Sequence, residues 1–144
     1  MKVAEIKISY SSKNKGKVKI KSSDTAYKIA LANWDLNLIE YQEEVKVLLL
    51  NQSNMVLGVH ELSKGGTTMS LIDIKMVLAV ALKSTAQGII VIHNHPSGDL
   101  TPSQADKMIT ARLKKGCTAI DLNLLDHLII TKEGYYSFKD VHEL

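Results

Sequence analysis

At 144 residues, 45% hydrophobic and 23% charged, the chain has the size and make-up of one folded domain, which excludes a disordered tail or a fibrous rod. A formal net charge of +3 is too mild to define a partner, and with no apolar run of about 18 residues and no hydrophobic core in MKVAEIKISYSS, a cytoplasmic protein is the expectation. The single cysteine, Cys117, excludes an internal disulfide and a thiolate zinc cage, so any metal must be held by histidine and carboxylate.

Residues 3–10, VAEIKISY, alternate apolar and polar positions, and GKVKIK (16–21) resumes the alternation after a turn at Gly16. Together they predict a hairpin. Lys13, Lys15, Lys17, Lys19 and Lys21 recur every second residue, which places all five on one face of such a strand. The ordinary use of such a row is an edge protected from pairing; the other is a weak contact with DNA or another polyanion, which lacks the aromatic interleaving that would support it.

Ser22, Ser23 and Asp24 offer caps for a helix through TAYKIALANW, in which Ala26, Ile29, Ala30 and Leu31 recur at helical spacing and Tyr27 and Trp34 serve as anchors. The run EEVKVLLLN (43–51) suits a central strand, NQSN (51–54) has turn chemistry, and MVLGVHELS (55–63) returns as a second strand. After Gly65 and Gly66, DIKMVLAVALKSTA predicts a helix with Met76, Val77, Val80 and Ala81 on one stripe and Ser70 or Asp73 as its cap. GIIVIHNH (88–95) is apolar without alternation, as burial on both faces allows. SQADKMITARLKKG then predicts a helix from Ser103 that stops at Gly116, with Lys114 and Lys115 in its last turn. DLNLL and HLIIT are strand material, Gly134 turns the chain, and YYSF is a last short strand. The pattern describes a mixed α/β sheet flanked by helices in one domain.

The chemistry concentrates in HNHPSGDLTPSQAD (93–106). On an extended backbone, residues two apart face the same side, so His93 and His95 aim both imidazoles at one point while Asn94 faces away. The loop with Pro96, Gly98 and Pro102 reverses direction and lets the next helix start facing the strand it left, with Asp106 in its first turn. Two imidazoles and one carboxylate leave the fourth position of a tetrahedral zinc to water, the ligand count of a catalytic site. Ser103 and Asp106 also spell a helix-capping box, and a capping serine is still able to turn its hydroxyl toward a reacting oxygen.

This stretch resembles the JAMM (MPN+) metalloproteases, whose H-x-H is followed by S-x-x-D at this spacing. HNHPSG with TPS is similar to the RadC branch in particular, as are EEVKVLLLN, ALKSTA, LLDHLII and GYYSF. The resemblance implies a RadC-like MPN (JAB) domain over residues 24–144, preceded by a lysine-rich extension over residues 1–23. It implies one Zn2+ per chain on His93, His95 and Asp106, Ser103 stabilising an oxyanion, and an upstream glutamate as general acid and base. The chemistry asks for that glutamate independently, since attack of activated water on an amide needs a group to take a proton and return it to the leaving nitrogen. By the resemblance, Asn51 falls where the family has Asp or Asn after its aliphatic strand, and counting back from it implies Glu43, with Glu44, on the opposite strand face, as the reserve. The expected activity is peptide or isopeptide hydrolysis on an unknown protein substrate. The family's association with DNA repair implies an alternative, an accessory protein contacting DNA through the lysine row. Longer relatives carry a helical N-terminal region for which the first 23 residues here are too few and too strand-like. Asp126 and His127 also match a RadC-like pattern, but a histidine among strand residues reads as structural, and Cys117 reads as packing.

Overall fold

The aliphatic run at 44–50 and the unbroken apolar run at 88–94 become the two central strands, because only a position between neighbours on both edges and layers on both faces buries such sequences. In the computed structural model, which describes residues 1–11, 18–65 and 72–144, the elements are α1 (Ser23–Ala32), β1 (Glu44–Leu50), β2 (Val56–Lys64), α2 (Ile74–Lys83), β3 (Gly88–Asn94), α3 (Gln104–Ala119), β4 (Asn123–Ile130) and β5 (Tyr135–Ser137). The five strands lie in the order β2-β1-β3-β4-β5. β1 is antiparallel to β2 and β3, β3 and β4 are parallel with α3 as their crossover, and β5 is antiparallel to β4. The expected mixed sheet flanked by helices is therefore the fold.

Each sheet face has its own core. Val45, Val47, Leu49, Ile89 and Val91 pack with Val77 and Ala81 of α2 and Leu113 and Cys117 of α3. Leu48, Leu50, Ile90, Ile92, Leu128 and Ile130 pack with Ala26 and Ala30 of α1 and with Trp34 and Ile39. Alternation along β1 and β3 thus decides which layer each side chain enters. α1 is capped by Ser22, whose side chain accepts from the Thr25 N–H, and α2 by Asp73, which accepts from Lys75 and Met76. The other proposed α2 cap, Ser70, lies outside the described residues.

Three expectations are corrected. Residues 1–11 form no strand and are exposed, so the hairpin expected over 3–10 and 16–21 is absent among the described residues. An alternating pattern needs a partner, and what pairs among the described residues is the stretch 18–20: Lys19 bridges Met55, with backbone bonds from Ile20 N–H to Asn54 and from Val56 N–H to Val18. Lys19 and Lys21 are exposed, whereas Lys13, Lys15 and Lys17 lie outside the described residues. Met76 is about half exposed, and Ile74 joins Val77, Leu78 and Ala81 on the packed face of α2. α3 runs past Gly116 to Ala119. Burial of Cys117 one residue beyond the glycine rewards continuing the helix, and the chain turns instead at Asp121, whose φ of 58° is left-handed. DLNLL and HLIIT are strand material as expected and form one strand, β4, with a register irregularity: Ile89 pairs with Leu124 but Ile90 with Asp126. That one-residue shift sends His127, opposite Val91, to the α3 side of the sheet.

Candidate metal centre

The site lies at the C-terminal end of β3, where it meets the first turn of α3 and the segment entering β1. Val45 pairs with His93, so the residue two before Val45, Glu43, approaches the same end of the sheet face. Its Oε1 lies 3.9 Å from His93 Nε2. Asn94, facing the other way, is fully buried and holds this segment in place: its Oδ1 accepts from the Glu44 N–H at 2.7 Å, and its Nδ2 donates to the carbonyls of Ile39 at 2.7 Å and Gln42 at 2.8 Å. Every strong hydrogen-bonding group of the amide is thereby used on the chain that delivers Glu43. Glu44, the reserve choice, is buried on the opposite face, 3.8 Å from Lys46.

The reversal after β3 works as expected from its turn residues. His95 N–H donates to Ile130 and Gly98 N–H to His95, with Gly98 at a left-handed φ of 83° that suits glycine. α3 starts with a complete capping box: Ser103 Oγ accepts from the Asp106 N–H at 3.0 Å, and the Ser103 N–H donates to Asp106 Oδ2 at 2.8 Å. The box orients the Asp106 carboxylate toward the strand, with Oδ1 at 3.4 Å from His93 Nε2 and Oδ2 at 3.3 Å from His95 Nε2. Ser103 is exposed at the N-cap, and its hydroxyl hydrogen is not needed for the cap.

His93 Nε2 and His95 Nε2 are 3.1 Å apart. Two imidazole lone pairs at that distance repel unless a proton or a cation lies between them. Ligands bonded at about 2.0–2.1 Å to a tetrahedral zinc are about 3.3 Å from one another, which is close to the separations among the two imidazoles and Asp106. Glu43, His93 and His95 likewise offer one atom each within 4.8 Å of one another. The four side chains named from the sequence are therefore brought together, and they could hold a divalent metal ion. Asp106 stands closer to the imidazoles than Glu43 does.

The electrostatics agree. Burial pushes the Asp106 carboxyl up, but the adjacent His93 and His95 imidazoles and the Ser103 N–H outweigh it and hold the group well below the usual carboxylate range. The Asp106 carboxylate beside it raises His95 against the opposing effect of burial. His95 Nδ1 lies 2.6 Å from the Asp99 carbonyl, an obligate acceptor, so that nitrogen carries the proton. A cleft of ≈ 190 Å³ opens beside His95, lined in part by Ile39, Pro96, Ser97 and Thr131 and rimmed by the Lys132–Glu40 ion pair at 2.9 Å.

Sequence reasoning set His127 aside, yet it touches the site from behind. It is buried on the α3 side of β4, its Nε2 2.8 Å from His93 Nδ1 and its Nδ1 2.6 Å from Thr110 Oγ1. Burial, helped by the neighbouring His93, keeps it neutral by pushing its pKa well below the usual imidazole value. Its ring stacks on Phe138, centroids 4.7 Å apart and planes 7° from parallel. Its neighbour Asp126 accepts from Ser137 Oγ and from the backbone N–H groups of His127 and Lys139.

Comparison with known proteins gives a family. A family model described as RadC-like JAB domain matches residues 20–144. Similar curated proteins, each named UPF0758 protein, include one from Flavobacterium johnsoniae, 50% identical over 98 residues (68% of this chain, 43% of the relative). Others are from Thermotoga maritima, 43% identical over 103 residues (72% and 46%), and Clostridium botulinum, 39% identical over 110 residues (76% and 48%). The chain thus spans slightly less than half the length of the curated relatives it matches. Among the described residues, no helix is long and apolar enough to cross a membrane.

Proposed function

Because the chain belongs to the RadC-like JAB domain family, we propose that it hydrolyses a peptide or isopeptide amide bond with zinc-activated water. His93, His95 and Asp106 hold the metal, Glu43 is the general base and acid, and Ser103 donates to the oxyanion. The observation that carries this reading is the convergence of two Nε2 atoms 3.1 Å apart with the Asp106 carboxylate at 3.3 and 3.4 Å and Glu43 just behind at 3.9 Å. A zinc ion at such a donor set lowers the pKa of water to about 7 and polarises a carbonyl oxygen.

In this reading Glu43 would take a proton from water and deliver it to the departing nitrogen, one carboxylate serving both transfers. Asp106, kept ionised, supplies the negative charge that two neutral imidazoles lack. The Ser103 hydroxyl has a hydrogen to give to the charge that develops on the carbonyl oxygen. The cleft beside His95 offers room for the chain that carries the scissile bond.

Metal analysis of protein purified without chelator tests the ligands, together with turnover of peptide and isopeptide substrates. Wild type should carry one zinc per chain, His95→Ala and Asp106→Asn should carry none, and Glu43→Gln should keep its zinc while losing about 10²–10⁴-fold in turnover. A metal-free wild type sinks the reading, and a Glu43→Gln protein that loses zinc makes Glu43 a ligand instead of the base.

A further inference from the structure

We propose that Thr110 and His127 are positioning residues, forming a hydrogen-bond relay that fixes the tautomer of His93 so that its Nε2 faces the metal site as a bare lone pair. The inference rests on the metal reading for its purpose, but its direction follows from the hydrogen-bond geometry and the burial of His127.

The relay starts at a group that has no choice. The backbone carbonyl of Asp106 accepts only, and Thr110, one helical turn later on α3, approaches it with Oγ1 at 2.7 Å. The hydroxyl has a single hydrogen, and this contact consumes it. At its other neighbour, His127 Nδ1 at 2.6 Å, Thr110 is then the acceptor, so the proton between them belongs to His127 Nδ1. A neutral imidazole has one N–H, which leaves His127 Nε2 with a lone pair. The 2.8 Å contact between His127 Nε2 and His93 Nδ1 must therefore carry a proton on His93 Nδ1. In the neutral form of His93, the one that binds a metal, Nε2, the atom facing Asp106 and His95, is then left without one. His95 reaches the same state by a shorter route, through the Asp99 carbonyl.

The relay has no slack. His127 is held in plane by Phe138 and placed on this face by the register shift of β4, and Thr110 is buried. Its origin is the backbone of Asp106, whose side chain is a metal ligand in the proposed site. One helical turn thus supplies a ligand and sets the tautomer of another. Groups that hold the far nitrogen of a metal-binding imidazole in this way typically change metal affinity by about 10–100-fold when removed.

Long-range proton–nitrogen NMR of the uniformly ¹⁵N-labelled, metal-free protein reads the tautomers directly. In wild type, His127 and His93 should both be protonated at Nδ1. Thr110→Val replaces the acceptor with a methyl of similar size; His127 should then move its proton to Nε2, donate to His93 Nδ1 and drive the His93 proton onto Nε2. Zinc affinity of that variant should fall about 10–100-fold, and Thr110→Ser should restore both tautomers and affinity. His127 protonated at Nε2 in wild type overturns the relay, as does a Thr110→Val protein with wild-type tautomers. Should wild type bind no zinc, the metal reading fails, while the tautomers of the metal-free protein still decide whether the relay exists.

Discussion

Ser103 carries two duties that one substitution confounds. As the N-cap of α3 it satisfies the Asp106 N–H, and its loss to alanine should lower stability by about 1 kcal/mol. As the proposed oxyanion donor it acts through the hydrogen the cap does not use. Ser103→Asp keeps a capping oxygen and has no hydrogen to give, so urea unfolding should show the stability cost only in Ser103→Ala, whereas turnover should fall in both. A Ser103→Asp protein with wild-type turnover removes the hydroxyl from the chemistry. At this scale the sequence was most informative where residues sit close together in a fixed backbone frame: His93, His95, Ser103 and Asp106 fall within 14 residues spanning one strand end and one helix start. Glu43 needed a count from Asn51, and its place beside His93 depends on long-range pairing of β1 with β3. His127 matched the family's pattern but showed no role, because a lone histidine among strand residues has no spacing to read, and its partners come from α3 and β3.

Among the elements, α3 shows where local signals mislead. Glycine after two lysines reads as a helix end, yet Gly116 lies inside the helix against α2, where an added Cβ would meet Leu78 Cδ1 at 3.4 Å and Ile74 Cγ2 at 3.7 Å. Those are ordinary contact distances, so Gly116→Ala should fit and raise the thermal midpoint, by up to about 1 kcal/mol of helix propensity. Gly116→Leu should lower it by crowding the interface of α2 and α3. A midpoint that falls in the alanine variant would show that the helices cannot accept even one methyl. β4 teaches the converse lesson. Its apolar residues were legible as strand material, but the irregularity between Leu124 and Asp126 that assigns His127 to the α3 layer arises from pairing with β3, which no local pattern encodes. The N-terminal alternation at 3–10 failed for the same reason, since periodicity states what a strand would bury without supplying the neighbour.

For the molecule as a whole, layer order explains both the core and the location of the site. Ligands in open α/β sheets bind beyond the carboxyl ends of parallel strands, and here that end of β3 meets the start of the crossover helix. Cys117, on the far part of α3, is a probe of how firmly these layers close. Burial pushes its thiol up to about 11, so the folded chain keeps it protonated while an unfolded thiol ionises above about 8.5. The sign is that of a raised pKa: the contribution is full below about pH 8.5 and is lost as pH rises toward 11. Labelling by a thiol reagent at pH 8 should therefore be slow in the native protein and fast in urea, and rapid native labelling would mean that α2 and α3 separate readily. The composition and the two aliphatic strands made the mixed sheet legible; the division of its two faces between one helix and two was not, because that depends on how the crossovers close.

The tripeptide His93-Asn94-His95 also has a meaning for anyone who would move or rebuild it. Its outer residues address one side of the sheet and its middle residue the other, where the amide grips Ile39, Gln42 and Glu44. Sliding the strand by a single residue would exchange these audiences, burying an imidazole under α1 and leaving the segment before β1 without its clasp. The motif is therefore not portable as a pair of histidines: grafted onto another sheet, it would need a neighbouring chain on the reverse side with two carbonyls and an N–H already waiting for Asn94.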